Sequence, residues 1–134
     1  MGTEVKRVEM RRTNCSCSMP GVWRALSFVR GALVIFHSPR PCAHIAHGMD
    51  VGSFHRLRAA GTKVRLSPVP LLTSSLSDAE AIFGGEDRLR EGIRFAAEKY
   101  HPQAVFIANS CVSGVIGDDT KAIAEEMETE LGIP

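Results

Sequence analysis

Three cysteines, Cys17, Cys42 and Cys111, are the residues of this sequence best suited to chemistry. Cys42 follows an apolar run at residues 32–36 and a proline-containing turn, and Cys111 follows a second apolar run at residues 104–108 and a short turn. Loops that follow parallel strands meet at one edge of a sheet, where open α/β folds bind ligands, so these two thiols are expected close together. Gathered thiolates are the ligands of iron–sulfur clusters and of zinc.

Inert buried thiols are the ordinary alternative, since free cysteine is among the most buried residue types. The glycine, proline and serine residues around all three cysteines weigh against that reading, because they place the thiols in loops rather than inside apolar runs. Cys15, in the Cys-Ser-Cys segment at residues 15–17, is an alternative ligand to Cys17 or a partner in a redox disulfide. We therefore predict a metal or cluster site on Cys17, Cys42 and Cys111, with Cys15 as the alternative ligand.

Histidines near Cys42 extend the list of candidate ligands. His44 and His47 are three residues apart, so on a helix they share a face, and His44 could complete a zinc site with the three thiols. A surface or supporting role is favoured for these histidines and for His37. Arg40, which stands between two prolines, could attract an anionic partner or offset the negative charge of a cluster.

Two further motifs have simpler explanations. Asp118 and Asp119 stand at the start of the last predicted helix, where we expect their main role to be capping of free amide groups. Gly84 and Gly85 form a tight turn before another helix, and their spacing matches neither of the common phosphate-binding fingerprints.

Length and composition exclude several classes of function. A chain of 134 residues is the size of one domain, and its net charge of +1 gives no electrostatic footprint for nucleic acid. No segment approaches the roughly 20 apolar residues of a membrane span, and no apolar core follows the basic N-terminal residues as in a secretory signal. We expect a cytoplasmic protein, in which cysteines are reduced thiols or metal ligands.

Hydrophobic periodicity predicts alternating strands and helices. Buried strands are expected at residues 32–37 and 104–108, with an edge strand at 62–66 and a loop around Pro68, Pro70 and residues 73–75. The predicted helices cover residues 21–30, 42–60 in pieces interrupted by Gly48 and Gly52, 77–83, 86–100, and 118 or 119 to 131.

This order predicts the fold class. Alternation of strand and helix favours parallel pairing with right-handed crossovers. We predict a three-layer, Rossmann-like α/β domain at residues 14–134, with a short and mostly parallel sheet in which the two buried strands are adjacent or one apart. Residues 1–13 are predicted to be a flexible segment. The last residues, Gly-Ile-Pro at 132–134, are typical of a lead into another strand, so we expect a piece truncated from a larger multi-domain subunit.

Several blocks of sequence together resemble the N-terminal part of nitrogenase component 1 proteins. The blocks are Cys17, His-Ser-Pro-Arg-Pro-Cys at residues 37–42, Ile-Phe-Gly-Gly-Glu-Asp-Arg-Leu at 82–89, and Ser-Cys-Val-Ser-Gly-Val-Ile-Gly-Asp-Asp at 110–119. This family includes the molybdenum–iron protein subunits, cofactor-assembly scaffold proteins and dark-operative protochlorophyllide reductase subunits. The resemblance covers residues 14–134, which would be about the first third of a family subunit.

The resemblance implies a function and a set of partners. It implies that Cys17, Cys42 and Cys111 hold an iron–sulfur cluster, a [4Fe–4S] or P-cluster-like one, at the interface with a homologous second subunit. An ATP-dependent iron–sulfur reductase would deliver electrons to this cluster, which would relay them to a reduction site in later domains. The alternative is a small α/β binding or cofactor-scaffold domain without redox catalysis. Dinitrogen, a tetrapyrrole, a sulfur compound and a cofactor precursor all remain open as the terminal substrate.

One block departs from the family pattern. The usual sequence before the second cysteine is His-Gly-Pro-x-Gly-Cys, whereas here Ser38 and Pro41 replace both glycines. A proline removes an amide donor and fixes φ, so the cluster type could differ from that of nitrogenase. The departure points to an uncharacterised nitrogenase-like branch of the family.

Overall fold

The computed structural model describes residues 17–63 and 69–134. The elements of this part of the chain, in order, are α1 (Met19–Leu26), β1 (Ala32–His37), α2 (Arg40–Ala59), β2 (Leu71–Thr73), α3 (Asp78–Phe83), α4 (Glu86–Tyr100), β3 (Ala104–Asn109), α5 (Cys111–Ile116) and α6 (Thr120–Leu131). The predicted flexible segment at residues 1–13, the alternative ligand Cys15 and most of the predicted edge strand at 62–66 lie outside the described residues.

The strands form a parallel sheet in the order β2-β1-β3. The central strand β1 pairs with β3 from Ala32 opposite Ala104 to His37 opposite Asn109. On its other side, Val34 to Phe36 pair with β2. The prediction that the two buried strands are parallel neighbours is therefore confirmed.

Alternating side chains of β1 build a core on each face of the sheet. Val34 and Phe36 pack with Met19 and Trp23 of α1 and with Ala46 of α2. The opposite face carries a second core, in which β1 meets α4 and α6, and its buried residues are Leu33, Ile35, Leu89, Ile93, Ala96, Ile123 and Met127. Side chains two residues apart share a face of a strand, so one strand serves both cores and the domain has three layers, as predicted.

Helix α2 differs from its prediction, because it is continuous rather than interrupted at Gly48 and Gly52. A glycine in a helix interior costs about 1 kcal/mol relative to alanine, which weakens the helical signal in the sequence. Packing overrides that cost, since Ala46 is buried and α2 lies against α1 and β2. Helix α1 is shorter than predicted and ends at Leu26, and Gly31 then turns the chain into β1 with φ +77°.

Strand β2 lies where a loop was predicted, so that prediction is wrong. The amide of Val34 donates to the carbonyl oxygen of Pro70 at 3.2 Å, and the amide of Ser74 donates to that of Phe36 at 3.0 Å. Pro70 does not prevent pairing, because it immediately precedes the strand and only its carbonyl is used.

In the part of the chain that the structure describes, no helix has the length and apolarity needed to cross a bilayer.

We predict that Ile123→Ala lowers the free energy of unfolding by about 2–5 kcal/mol, because Ile123 is fully buried between α6 and the sheet and its truncation leaves a cavity. Val115→Ala is the control, since Val115 is 89% exposed and its truncation should change the free energy by less than about 0.5 kcal/mol. Urea titration followed by circular dichroism measures both, and equal losses would contradict the position of this core.

Candidate functional site

Cys42 and Cys111 stand in the first turns of two helices rather than in loops as predicted. Cys42 is the third residue of α2, and Cys111 is the first residue of α5. The strands that precede these helices are parallel and end in register at His37 and Asn109. Because the connections after both strands are short, the two cysteines emerge at the same carboxyl edge of the sheet.

Cys17 lies just before α1, which begins at Met19. Its side chain is exposed, as is that of Cys111, whereas Cys42 is half-buried. Burial raises the pKa of the Cys42 thiol above its ordinary value, and the negative charges of Cys111 and then Cys17 raise that pKa further. Such charge effects decline with distance, so Cys42 lies within electrostatic range of each of the other two thiols.

The three thiols do not form a metal site in the arrangement that the structure describes. All three are free, and among the described residues no group of three or more His, Cys, Asp or Glu side chains is close enough to hold a metal ion. Thiolates are nevertheless the donors that iron–sulfur clusters and zinc take, and a bound cation would relieve the mutual repulsion that raises the pKa of Cys42. The three side chains are therefore of the type that binds an iron–sulfur cluster, and a fourth ligand is still required.

The replaced glycines are accommodated by the start of α2. Pro39 is the N-cap residue and Pro41 lies in the first turn, where a missing amide costs no intrahelical hydrogen bond. Ser38 is buried, and its hydroxyl donates to the carbonyl oxygen of Pro39 at 3.1 Å.

His44 and His47 belong to a different surface from the thiols. Both side chains are exposed and line a cavity of about 410 Å³ between α1, α2 and β2, together with Arg40 and Asp50. None of the three candidate cysteines lines this cavity. The structure therefore gives no support to His44 as the fourth ligand of a zinc site.

A buried polar network beneath the thiol edge was missed by the sequence analysis. His37, the fully buried last residue of β1, places Nδ1 2.9 Å from the Ser74 hydroxyl and Nε2 2.8 Å from a carboxylate oxygen of Asp118. The amide of Gly85 donates to the same carboxylate at 3.0 and 3.2 Å. A histidine that ends an otherwise apolar strand was the available signal, since a buried imidazole requires polar partners.

The expectation that both aspartates act as caps holds for only one of them. Asp119 is the N-cap of α6 and accepts from the amide of Ala122 at 3.0 Å. Asp118 instead has a side chain that is 4% exposed and directed at His37. A buried carboxylate is stable only when its charge is well paired, so Asp118 contributes to tertiary structure rather than to helix capping.

Gly85 permits this network because a side chain would not fit. A Cβ built at Gly85 would overlap Leu76 Cδ2 and would lie 3.1 Å from both His37 Cε1 and an Asp118 carboxylate oxygen. The turn before α4 can therefore approach the His37–Asp118 pair only with glycine at this position.

Exposed apolar side chains lie on α3 and on α5, the helix that begins at Cys111, and we call them together the α3–α5 surface. It consists of Ile82, Phe83 and Val115, which are 73%, 86% and 89% exposed. Helix α3 packs against α5, and Glu86 and Asp87 line the depression that begins beside Ile82 and Phe83. Large apolar side chains grouped on a surface with polar neighbours are typical of protein–protein contacts.

Comparison with known proteins places this α/β domain in a family. Residues 17–134 match the nitrogenase component 1 type oxidoreductase family, and the chain belongs to it. The chain is 32% identical over 129 residues to the nitrogenase iron-molybdenum cofactor biosynthesis protein NifE of Klebsiella pneumoniae, covering 92% of this chain and 28% of that protein. It is 27% identical over 128 residues to the nitrogenase molybdenum-iron protein alpha chain of Methanococcus maripaludis, covering 90% of this chain and 26% of the relative.

Solved structures agree with this assignment. The chain is similar to a structure of nitrogenase Cp1 at pH 5, with a TM-score of 0.65 and 28% identity. The match covers 88% of this chain and 23% of the nitrogenase chain. The present chain thus spans about a quarter of the length of the relatives that it matches. The resemblance read from the sequence is confirmed at the level of the family and of the fold.

We predict that Cys42 reacts with iodoacetamide more slowly at neutral pH than Cys17 or Cys111, because it is partly buried and its pKa is raised. Cys111→Ser should lower the pKa of Cys42, since the charge of Cys111 raises that pKa more than the charge of Cys17 does, and Cys17→Ser should lower it less. Mass spectrometry of peptides alkylated across a pH series measures these values. An unchanged Cys42 profile in both variants would show that the thiols are far apart.

Proposed function

We propose that this chain is the cluster-binding part of a nitrogenase-like oxidoreductase subunit. In the complete protein it relays electrons from an ATP-dependent iron–sulfur reductase to a reduction site in later domains. The proposal is supported by the placement of Cys42 and Cys111 in the helices that follow two neighbouring parallel strands, and by the effect of the Cys17 and Cys111 charges on the pKa of Cys42. Membership of an oxidoreductase family supports it.

Cys17, Cys42 and Cys111 would hold an iron–sulfur cluster of [4Fe–4S] or P-cluster-like type. When bound, such a cluster supplies reversible storage of single electrons. The chain contributes thiolate ligands from the start of two helices and one preceding segment, and it keeps Cys42 partly shielded from water. Reduced thiols are needed for this role, which suits a cytoplasmic protein.

A second, homologous subunit would complete the site. Three thiolates are one fewer than the four usual for a [4Fe–4S] cluster. Cys17 and Cys111 are exposed, so a cluster bound to them would lie at the surface of this domain, where another subunit can supply the missing ligand. Cys15 remains the alternative fourth ligand within the chain.

We predict that Cys17→Ala, Cys42→Ala and Cys111→Ala each remove most of the iron and the visible charge-transfer absorption from the anaerobically purified complex. Cys15→Ala is the matched control and should leave both unchanged. Elemental analysis and absorption spectroscopy of the complete polypeptide with its partner subunit measure the outcome.

Other results of this experiment would overturn the assignment. If Cys17→Ala retained its iron and Cys15→Ala lost it, Cys15 rather than Cys17 would be the ligand. A colourless protein with about one zinc per chain would indicate a zinc site instead of an iron–sulfur cluster. A protein free of metal would favour a binding domain without redox chemistry.

We further propose that the reductase docks on the α3–α5 surface. Val115 follows Cys111 by four residues, about one helical turn, so both project from the same side of α5. A partner that covers Phe83 and Val115 would therefore stand next to the thiols. Short distance between donor and acceptor is what electron transfer requires of this complex.

We predict that Phe83→Ala slows reductase-dependent reduction of the complex by about tenfold without changing its iron content, since truncation of one well-placed aromatic commonly weakens an interface by that factor. Phe83 is 86% exposed, so the fold should be unaffected. Phe95→Ala is the control, because Phe95 is 49% exposed on α4 outside this surface. Stopped-flow spectroscopy with the reductase and ATP gives the rate, and equal rates in the two variants would exclude the surface.

A role as a cofactor scaffold without redox catalysis is the second candidate. The relative from Klebsiella pneumoniae is described as a cofactor biosynthesis protein, and at 32% identity it is nearer to this chain than the molybdenum-iron alpha chain at 27%. The two functions differ in turnover. An electron-relaying subunit should support continuous ATP-dependent consumption of electrons, whereas a scaffold should take up a cofactor precursor and release it to another protein.

A further inference from the structure

One pattern of donors and acceptors satisfies His37 together with Ser38, Ser74 and Asp118. The Ser74 hydroxyl accepts from the amide of Ser38 at 3.2 Å, which leaves the Ser74 proton free to be donated to His37 Nδ1 at 2.9 Å. Nε2 then carries the ring proton and donates it to Asp118 at 2.8 Å. The imidazole thus links Ser74, after β2, to Asp118, after α5.

The same residue also fixes the segment that precedes Cys111. The backbone carbonyl of His37 accepts from the Ser110 hydroxyl at 2.9 Å and from the Ser110 amide at 3.2 Å. Ser110 is the N-cap of α5, so these bonds set where α5 and Cys111 begin. Along the chain, His37 is followed by the short connection at residues 38–39 and then by the first turn of α2, which contains Cys42.

Asp118 connects this arrangement to the surface turn at residues 83–85. Its nearly buried carboxylate accepts from His37 and from the amide of Gly85, and it lies at the end of the helix that carries Cys111. Loss of either donor would leave a buried charge incompletely paired. The turn, the carboxylate and the imidazole are therefore expected to move together.

We propose that the His37–Asp118 pair is a positioning device that couples the turn at residues 83–85, which begins at exposed Phe83 and ends at buried Gly85, to the segments that carry Cys42 and Cys111. This inference rests on the proposed function, in which the turn takes part in docking of the reductase and the cysteines are cluster ligands. A partner seated on Phe83 would shift the Gly85 amide, and Asp118 and His37 would transmit that shift to both thiol segments. The pair acts through other residues and makes no contact with a ligand itself.

Asp118→Asn tests this coupling, because it keeps the size of the side chain and removes its charge. Asp119→Asn, the same change one residue further on, is the matched control, since asparagine caps a helix about as well as aspartate. The readouts are hydrogen–deuterium exchange and the rate of alkylation of Cys42 in the complete, metal-free natural polypeptide. Neither readout needs a cluster or a reductase, so failure of the proposed function would not obscure the result.

In Asp118→Asn we expect about tenfold faster exchange at the turn of residues 83–86 and, together with it, at residues 38–46 and 110–117. Cys42 alkylation should accelerate by a similar factor. Residues 17–26 should exchange at the unaltered rate, because no bond of the network reaches α1. Asp119→Asn should match the unsubstituted protein at all of these segments.

Gly85→Ala gives a second perturbation, applied from the side of the turn. Its methyl group would overlap Leu76 and press on His37 and Asp118, so it should reproduce the pattern of Asp118→Asn at both cysteine segments. Gly92→Ala is its control, because a Cβ at Gly92 meets nothing within 4 Å. Faster exchange confined to residues 83–86, or spread equally over the whole chain, in either variant would overturn the proposal.

Discussion

Complete burial of β1 on both faces is the constraint on which the rest of the domain depends. All six of its residues are buried. Its apolar side chains point alternately to the two faces of the sheet and pack against the helices on each face. A strand in this position must pair on both sides, because an unpaired edge inside the protein would leave backbone groups without partners. The parallel neighbours β2 and β3 satisfy that need and bring the connections after β1 and β3 to one edge.

This arrangement explains why a polar residue is tolerated at the end of the strand. His37 lies where the apolar layers give way to the carboxyl edge, and it is fully buried there with a serine and a carboxylate as partners. The partners come from segments far apart in sequence, with Ser74 and Asp118 at separations of 37 and 81 residues. Through its ring and its backbone carbonyl, this one residue at the end of β1 thereby contacts the segments that follow β2 and β3.

The sequence predicted what depends on local pattern and missed what depends on pairing across the fold. The buried strands were found because continuous apolar runs of that length, set between helices, are a strong signal. Strand β2 was missed because its three residues are recognisable only by their hydrogen bonds to β1. The six-residue helix α5 was missed because Ser110, Ser113 and Gly114 resemble a loop, although Ser110 caps the helix.

The candidate site shows the same division. Strand order predicted that Cys42 and Cys111 follow neighbouring strands, as the structure shows, but it did not predict the polar network around His37. Neither Asp118 nor Gly85 has a local signature that distinguishes a buried role from a cap or a turn, and only the 3.0 Å contact between them reveals it. Exposed Cys17 and Cys111 and half-buried Cys42, in a fold whose carboxyl edge is organised by the buried His37–Asp118 pair, would form only part of a ligand set. Such a site is suited to completion by a second protein rather than by this domain alone.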